Sequence, residues 1–351
     1  MALTSLNRPH LAAVGRALSL SHAGQRLAAL VACSLLVTPL TVAAQTFESV
    51  GNRAQGMGGA FVAVADDASM TWWNPAGVAN GGQLSALFEH GQWTDPSVHS
   101  AEGPAVRNQD TGFAMALPGF GLSYYRVYLT TVRPILPVGP GVGDPQAGLS
   151  KLALSQYGFT TGRSIGPGLT IASTLKLIRV GVADAVSVSG EALDRADGLD
   201  VPVDTKADVD LGAMASLGSL RLGFALKHLS EPDFQTAGGP LVLQRQARIG
   251  ASFRSGSPFG GTGLTVAFDT DLTSTPTLFG DVRHVAVGAE GRLRRWLAAR
   301  GGYSANTIGD ARPSWSAGAS IGARGVFLDG MLTLGRDASK EGWNIGVRLA
   351  L

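Results

Sequence analysis

The last nine residues, Trp343-Asn344-Ile345-Gly346-Val347-Arg348-Leu349-Ala350-Leu351, alternate without a break. Trp343, Ile345, Val347, Leu349 and Leu351 form one apolar set, interleaved with Asn344, Gly346, Arg348 and Ala350. A period of two places successive side chains on opposite faces of a strand, so this segment has one apolar and one polar face. The same pattern recurs upstream. Leu264, Val266, Phe268, Thr270 and Leu272 alternate with Thr265, Ala267, Asp269 and Asp271. Leu220, Leu222, Phe224 and Leu226 alternate with Arg221, Gly223, Ala225 and Lys227, and Val209 to Ala215 alternates with Asp208 to Met214. From Gln83 onward the chain reads as roughly fourteen such segments, broken by Gly, Pro, Asp and Asn.

A soluble sandwich also alternates, but three features favour a barrel in a membrane. The segments run about ten residues, the length that crosses a bilayer at a tilt. Their apolar faces carry almost no charge, as contact with lipid requires. Up-and-down pairing with closure would satisfy every edge N–H and C=O, which lipid cannot do. The expectation is therefore an all-β, transmembrane, antiparallel up-and-down barrel spanning 83–351. Its inward faces would carry Lys176, Arg221, Lys227, Arg248, Arg300 and Arg348 against Asp208, Asp210, Asp269, Asp271, Glu290 and Asp329. Such a balanced set reads as paired lumen residues rather than a charge-selective constriction. Gly346, on the lumen face, should accept a larger side chain better than lipid-facing Val347. The longer connections, Thr94–Asp110, Pro134–Gly148, Ala183–Lys206, Ser230–Gln244 and Leu272–Asp281, should lie on the extracellular side.

Composition agrees. Of 351 residues, 45% are apolar and only 15% charged, with 48 glycines that follow no three-residue period. An ordinary cytoplasmic enzyme carries more charge, and collagen needs the period. Residues 1–44 hold Arg8, Arg16 and Arg26 and no acid, so the formal charge of +2 belongs to this leader. Without it the chain is near neutral and offers no basic stripe for nucleic acid. The arginines followed by the apolar run Leu27–Ala44 read as a signal peptide, with Val42 and Ala44 before a cut that leaves Gln45 first. Cys33, the single cysteine, sits in a lipoprotein-like Leu30-Val31-Ala32-Cys33, but the apolar region continues well past it.

Residues 51–82 do not alternate. Gly56, Gly58 and Gly59 precede a run of small residues; Asp66 and Asp67 could cap a short helix that must stop before Pro75. Trp72-Trp73-Asn74-Pro75-Ala76-Gly77 follows as a bulky helix-then-turn unit. The stretch Arg53-Ala54-Gln55-Gly56-Met57-Gly58-Gly59-Ala60-Phe61, with Ala65-Asp66-Asp67-Ala68 and the Trp72–Gly77 unit, resembles the N-terminal segment of FadL-like outer-membrane proteins, nearest to the PorV/PorQ-like branch. The resemblance implies fourteen strands and an N-terminal plug, here 45–82. In it Gly56, Gly58 and Gly59 would bend the chain, Trp72 and Trp73 would fill the lumen, and Asn74-Pro75 would turn. It also implies either a channel for hydrophobic or amphipathic small molecules, long-chain fatty acids or aromatic hydrocarbons in the FadL branch, or a PorV-like secretion component with protein partners. The other partner expected is outer-membrane lipid.

Enzymatic and metal chemistry find little footing. His90, His99, His228 and His284 show no metal-ligand spacing, no residue marks a nucleophile, and no helix pattern follows the glycines of Gly139–Gly143. No cofactor is expected.

Overall fold

The computed structural model describes residues 50–94, 105–135, 146–188, 192–256, 263–277, 280–335 and 341–351. The expected signal peptide and cleavage point lie outside these residues. Fourteen strands close into one antiparallel barrel. In chain order the strands begin with β1 (Ser85–Thr94), β2 (Ala105–Leu117), β3 (Phe120–Ile135), β4 (Gln146–Gly166), β5 (Leu169–Val188), β6 (Asp204–Leu217) and β7 (Leu220–Lys227). The hairpin β8 (Asp233–Thr236) and β9 (Gly239–Val242) stands apart, then come β10 (Gln246–Ser255) and β11 (Gly263–Asp271). A second small hairpin, β12 (Thr275–Thr277) and β13 (Gly280–Val282), precedes β14 (His284–Arg294), β15 (Leu297–Asn306), β16 (Ser314–Ala323), β17 (Val326–Gly335) and β18 (Gly342–Ala350). Barrel strands neighbour one another in sequence order, and β1 meets β18 from Ser85↔Ala350 to Trp93↔Gly342, so no edge is left open.

The alternation maps onto the two faces. On β18, Ile345 is 58% and Val347 45% exposed, while Asn344 is fully buried and Arg348 is 7% exposed. Phe268, Leu222, Phe224 and Leu211 are likewise exposed on outward faces, whereas Asp269, Ala225 and Asp210 are buried. Polar groups inside and large apolar groups outside invert the arrangement of a water-soluble protein, and suit a wall surrounded by lipid.

Strand length departs from the uniform ten residues expected. The range is 8 residues in β7 to 21 in β4, and β3, β4 and β5 all exceed fifteen. Two-residue turns at Pro118–Gly119, Pro167–Gly168, Gly218–Ser219, Arg295–Trp296 and Arg324–Gly325 lie at the end that also holds Ser85 and Leu351. The long connections gather at the other end, where β2 to β5 project beyond the rest. Much of what reads as loop is therefore structured: Ala183 lies within β5, Asp110 within β2, and both Ser230–Gln244 and Leu272–Asp281 contain hairpins. A short helix, Ala192–Asp197, packs its Ala196 against Leu149, Val132 and Ala185 on the outer side of that projection. Arg107 grips its Asp197 at 2.5 Å and Asp194 at 3.1 Å.

Candidate functional site

Residues 50–78 are buried against the inner wall of the barrel. Helix Asn52–Gly56, helix Met70–Trp73 and a 3₁₀ turn Pro75–Ala79 are joined by tight bends. Gly58 and Gly59 have φ of 70° and 87°, a conformation that costs a residue with a Cβ but not glycine. The barrel wall is cut to match. A Cβ on Gly302 would fall 2.1 Å from the Met57 carbonyl carbon and 2.2 Å from the Gly58 nitrogen. Glycine is needed there because backbone approaches backbone.

Charged side chains tie the segment to the wall. Arg53 donates through Nε and Nη2 to both oxygens of Glu290 at 2.9 and 2.7 Å, and through Nη1 to Asp66 and Asp67 at 2.7 and 2.8 Å. Asp66 also accepts from Arg254 at 2.7 Å. Burial alone would raise the Asp66 carboxyl, but Arg53 and Arg254 outweigh it and hold it well below the usual carboxylate range. From Glu290 the chain of charge continues to Arg300 at 3.7 Å, on to Asp329 at 3.1 Å, and to Arg348 at 2.8 Å. Arg53, Glu290, Arg300, Asp329 and Arg348 are all at least nine-tenths buried, and each charge meets an opposite one, without which burial would be prohibitive.

Backbone groups of the segment are met as well. Asp269 Oδ2 accepts from Phe61 N–H and Val62 N–H, each at 2.7 Å. Glu89 accepts from Gly51 N–H at 2.6 Å and Asn52 N–H at 2.9 Å. Asn74 donates to Val62 and Ala213 carbonyls and accepts from Ala76 N–H, capping the turn that begins at Pro75. Asp67 accepts from Ser69 N–H at 3.0 Å just before the Met70–Trp73 helix, so its carboxylate serves the bend rather than the helix cap itself. Gly56 O accepts from Ser316. Trp73 donates to Val50 O at 2.8 Å, and Trp72 stacks edge-on to Tyr125 at 5.2 Å with the Lys227 ammonium 3.5 Å from its ring centre. Both tryptophans are inside the barrel, away from the interfacial belt.

The remaining lumen charges sit in two groups. Arg248 pairs with Asp271 at 2.5 Å. Lys176 pairs with Asp210 at 2.6 Å and Asp208 at 3.0 Å, and His228 Nδ1 lies 2.8 Å from Asp208. Asp208, Asp210 and His228 are close enough together to ligate a cation, yet the Lys176 ammonium already contacts all three. Ser230 Oγ donates to Asp208 rather than to His228, so this is not the serine–histidine–acid order of a nucleophilic triad. Arg221 donates to the Val64 carbonyl at 3.4 Å.

Gly346 corrects the expectation made for it. A Cβ there would sit 2.7 Å from Phe88 O and 3.0 Å from Asn52 Nδ2, so the lumen face at 346 has no room for a larger side chain. The neighbouring cavity lined by Arg53, Glu89, Asp329 and Arg348 measures about 10 Å³, about the space of one water. Sequence reasoning also passed over Glu89, Asp110 and Tyr125, and gave Asn344 a face but no partner. Parity on β1, β2 and β3 would have put the first three inside; Arg53 stood within the motif, but nothing marked it as the hub.

No protein-family model matches the chain, and no curated protein does. Solved structures do. The toluene transporter TbuX of Ralstonia pickettii superposes with a TM-score of 0.61 at 15% identity, over 87% of this chain and 99% of that one. The monoaromatic hydrocarbon channel CymD gives 0.60 at 14%, over 88% and 99%. The toluene transporter TodX of P. putida gives 0.59 at 11%, over 87% and 99%. The fold is theirs. It is also the fourteen-stranded barrel that the resemblance to FadL-like proteins implies.

Proposed function

We propose that this protein is an outer-membrane channel for hydrophobic or amphipathic small molecules, with residues 45–82 as a plug that must shift for passage. The observation that carries the reading is an apolar wall at the mouth above a segment tied inside the barrel by ion pairs and hydrogen bonds. At the loop-bearing end, the inner faces of β4 and β5 present Leu152, Ile178, Val180 and Val182, with Phe234, Leu241 and Leu243 from the β8–β9 region packed on them. These side chains are at most 8% exposed, so an apolar molecule would leave water favourably at this wall by displacing the β8–β9 region from it. Below it the interior is occupied by the segment that Arg53 and Asp269 tie to the wall, whose Met57, Phe61, Trp72 and Trp73 also pack with Leu87, Tyr125 and Met214 of the wall in one buried apolar cluster. The hydrocarbon channels of the same fold support the substrate class; a long-chain fatty-acid-like cargo is the finer proposal.

Deleting Gly51 to Gly77 tests the plug. A folded barrel with raised conductance in planar bilayers supports it, and unchanged conductance from a folded variant removes it. Radiolabelled uptake of a monoaromatic hydrocarbon against a long-chain fatty acid, in cells with and without the protein, tests the cargo. The other reading, a PorV-like secretion component, calls for secreted proteins to co-purify with the barrel. No described residue favours it.

A further inference from the structure

On the outward faces of the barrel strands, towards the loop-bearing end, the charged side chains among the described residues are Arg107, Arg126, Lys151 and Arg179. All are basic and all lie on β2 to β5. Two of them are engaged by the short outer helix: Arg107 by Asp194 and Asp197, and Lys151 by the carbonyls of Asp197 and Leu199. Arg126 and Arg179 meet no carboxylate among the described residues. Their places are fixed by register, since Thr111 pairs with Arg126, Arg126 with Ser155, Ser155 with Arg179, and Arg179 with Thr205. One row across five strands thus reads hydroxyl, guanidinium, hydroxyl, guanidinium, hydroxyl. Strands stand about 4.8 Å apart, so the two arginines are rooted about 10 Å from each other.

The rows beneath are those of a lipid-facing wall. Next comes Phe113, Tyr124, Tyr157 and Leu177, with the two tyrosine rings 4.9 Å apart; then Leu122, Phe159 and Leu175, each about half exposed. Arg126 turns away from this apolar band and lays its guanidinium 5.0 Å from the centre of the Tyr128 ring, one row further towards the loops. Two uncompensated guanidinium groups, separated by hydroxyls, directly above an aromatic and apolar band, match an anion held at headgroup depth. Guanidinium forks suit phosphate oxygens.

We propose that the Arg126–Ser155–Arg179 row binds the phosphate groups of a lipid headgroup in the outward leaflet, fixing a lipid against the β3–β5 face. The proposal is independent of what passes through the lumen. The test uses the mature full-length barrel in phosphatidylcholine micelles, with native mass spectrometry reading retention of diphosphoryl lipid A. Wild type should retain it, and Arg126→Gln/Arg179→Gln should retain it about 30-fold less, two arginines at about 1 kcal/mol each near a charged membrane surface. Arg179→Gln alone, at an exposed position, should lose about fivefold. Arg163→Gln, on β4 near the opposite end, should lose nothing. Equal retention by wild type and the double variant, or equal retention of the dephosphorylated lipid, overturns the proposal. Displacement of the lipid by millimolar inorganic phosphate assigns the row to free phosphate and overturns the lipid assignment. Heat-modifiable gel mobility verifies that each variant is folded, and if the double variant is not, the single Arg179→Gln decides.

Discussion

Replacing Arg53 with Met separates the inserted segment from the wall while keeping the bulk of the side chain. Arg53 is 4% exposed and makes four short bonds to three carboxylates. Removing one partner from a buried ion pair costs about 3–5 kcal/mol, because the other charges stay buried without compensation. Two of the three carboxylates keep a second cation, Glu290 with Arg300 at 3.7 Å and Asp66 with Arg254 at 2.7 Å, and Asp67 keeps its hydrogen bonds from Ser69. The lower end applies, so docking of the segment should weaken by about 3 kcal/mol, a shift of about 150-fold in its docked-to-released ratio. The fourteen-strand ladder does not pass through Arg53 and should survive. Single-channel recordings in planar bilayers should therefore show open events far more often, on a barrel whose heat-modifiable mobility is unchanged. Arg53→Lys, which keeps the charge but loses the two-pronged contact with Glu290, should fall between. A folded Arg53→Met barrel that opens no more often than wild type would refute the view that this network holds the segment in place. So would a variant that fails to fold, since the network would then belong to the wall.

Three further outcomes follow from the same geometry. Val347→Arg places a charge on the outward face near the middle of the wall, at a cost of about 2–4 kcal/mol, and should lower folding yield into lipid vesicles as read by gel mobility. Gly302→Val drives a side chain into the backbone at Met57 and Gly58; it should release the segment, raising its protease sensitivity while the barrel resists. His228 follows β7 and lies outside the strands, and burial together with the Lys176 ammonium pushes its imidazole down to about 4. A depressed histidine adds stability that is complete above its ordinary pKa of about 6.5 and is lost as pH falls through about 4. Unfolding in urea should become easier across that interval, and His228→Gln should flatten the profile there.

The alternation of segments such as Trp343–Leu351 and Leu264–Leu272, together with their length and their nearly charge-free apolar faces, determined the class of fold, because a period of two leaves no choice about which side chains share a face. Once one face is apolar and nearly free of charge, lipid outside and polar groups inside follow for Arg348, Asp269 and Lys176 alike. The sequence by itself also marked 51–82 as the stretch without a strand pattern. It could not say which partner each charge would take. Arg53 and Glu290 are 237 residues apart, and Asn52 and Asn344 292 apart, so their meeting depends on the closure of β1 on β18 and on how far the segment reaches into the lumen. The lengths of β3 to β5 escaped it as well, since beyond the membrane both faces may be polar or apolar and the alternation that marks a strand fades. Room at a given position was settled last of all. Gly346 and Gly302 face the lumen by parity, but whether that lumen is empty or filled with backbone depends on atoms brought there from the far end of the chain, and only the packed tertiary structure supplies them.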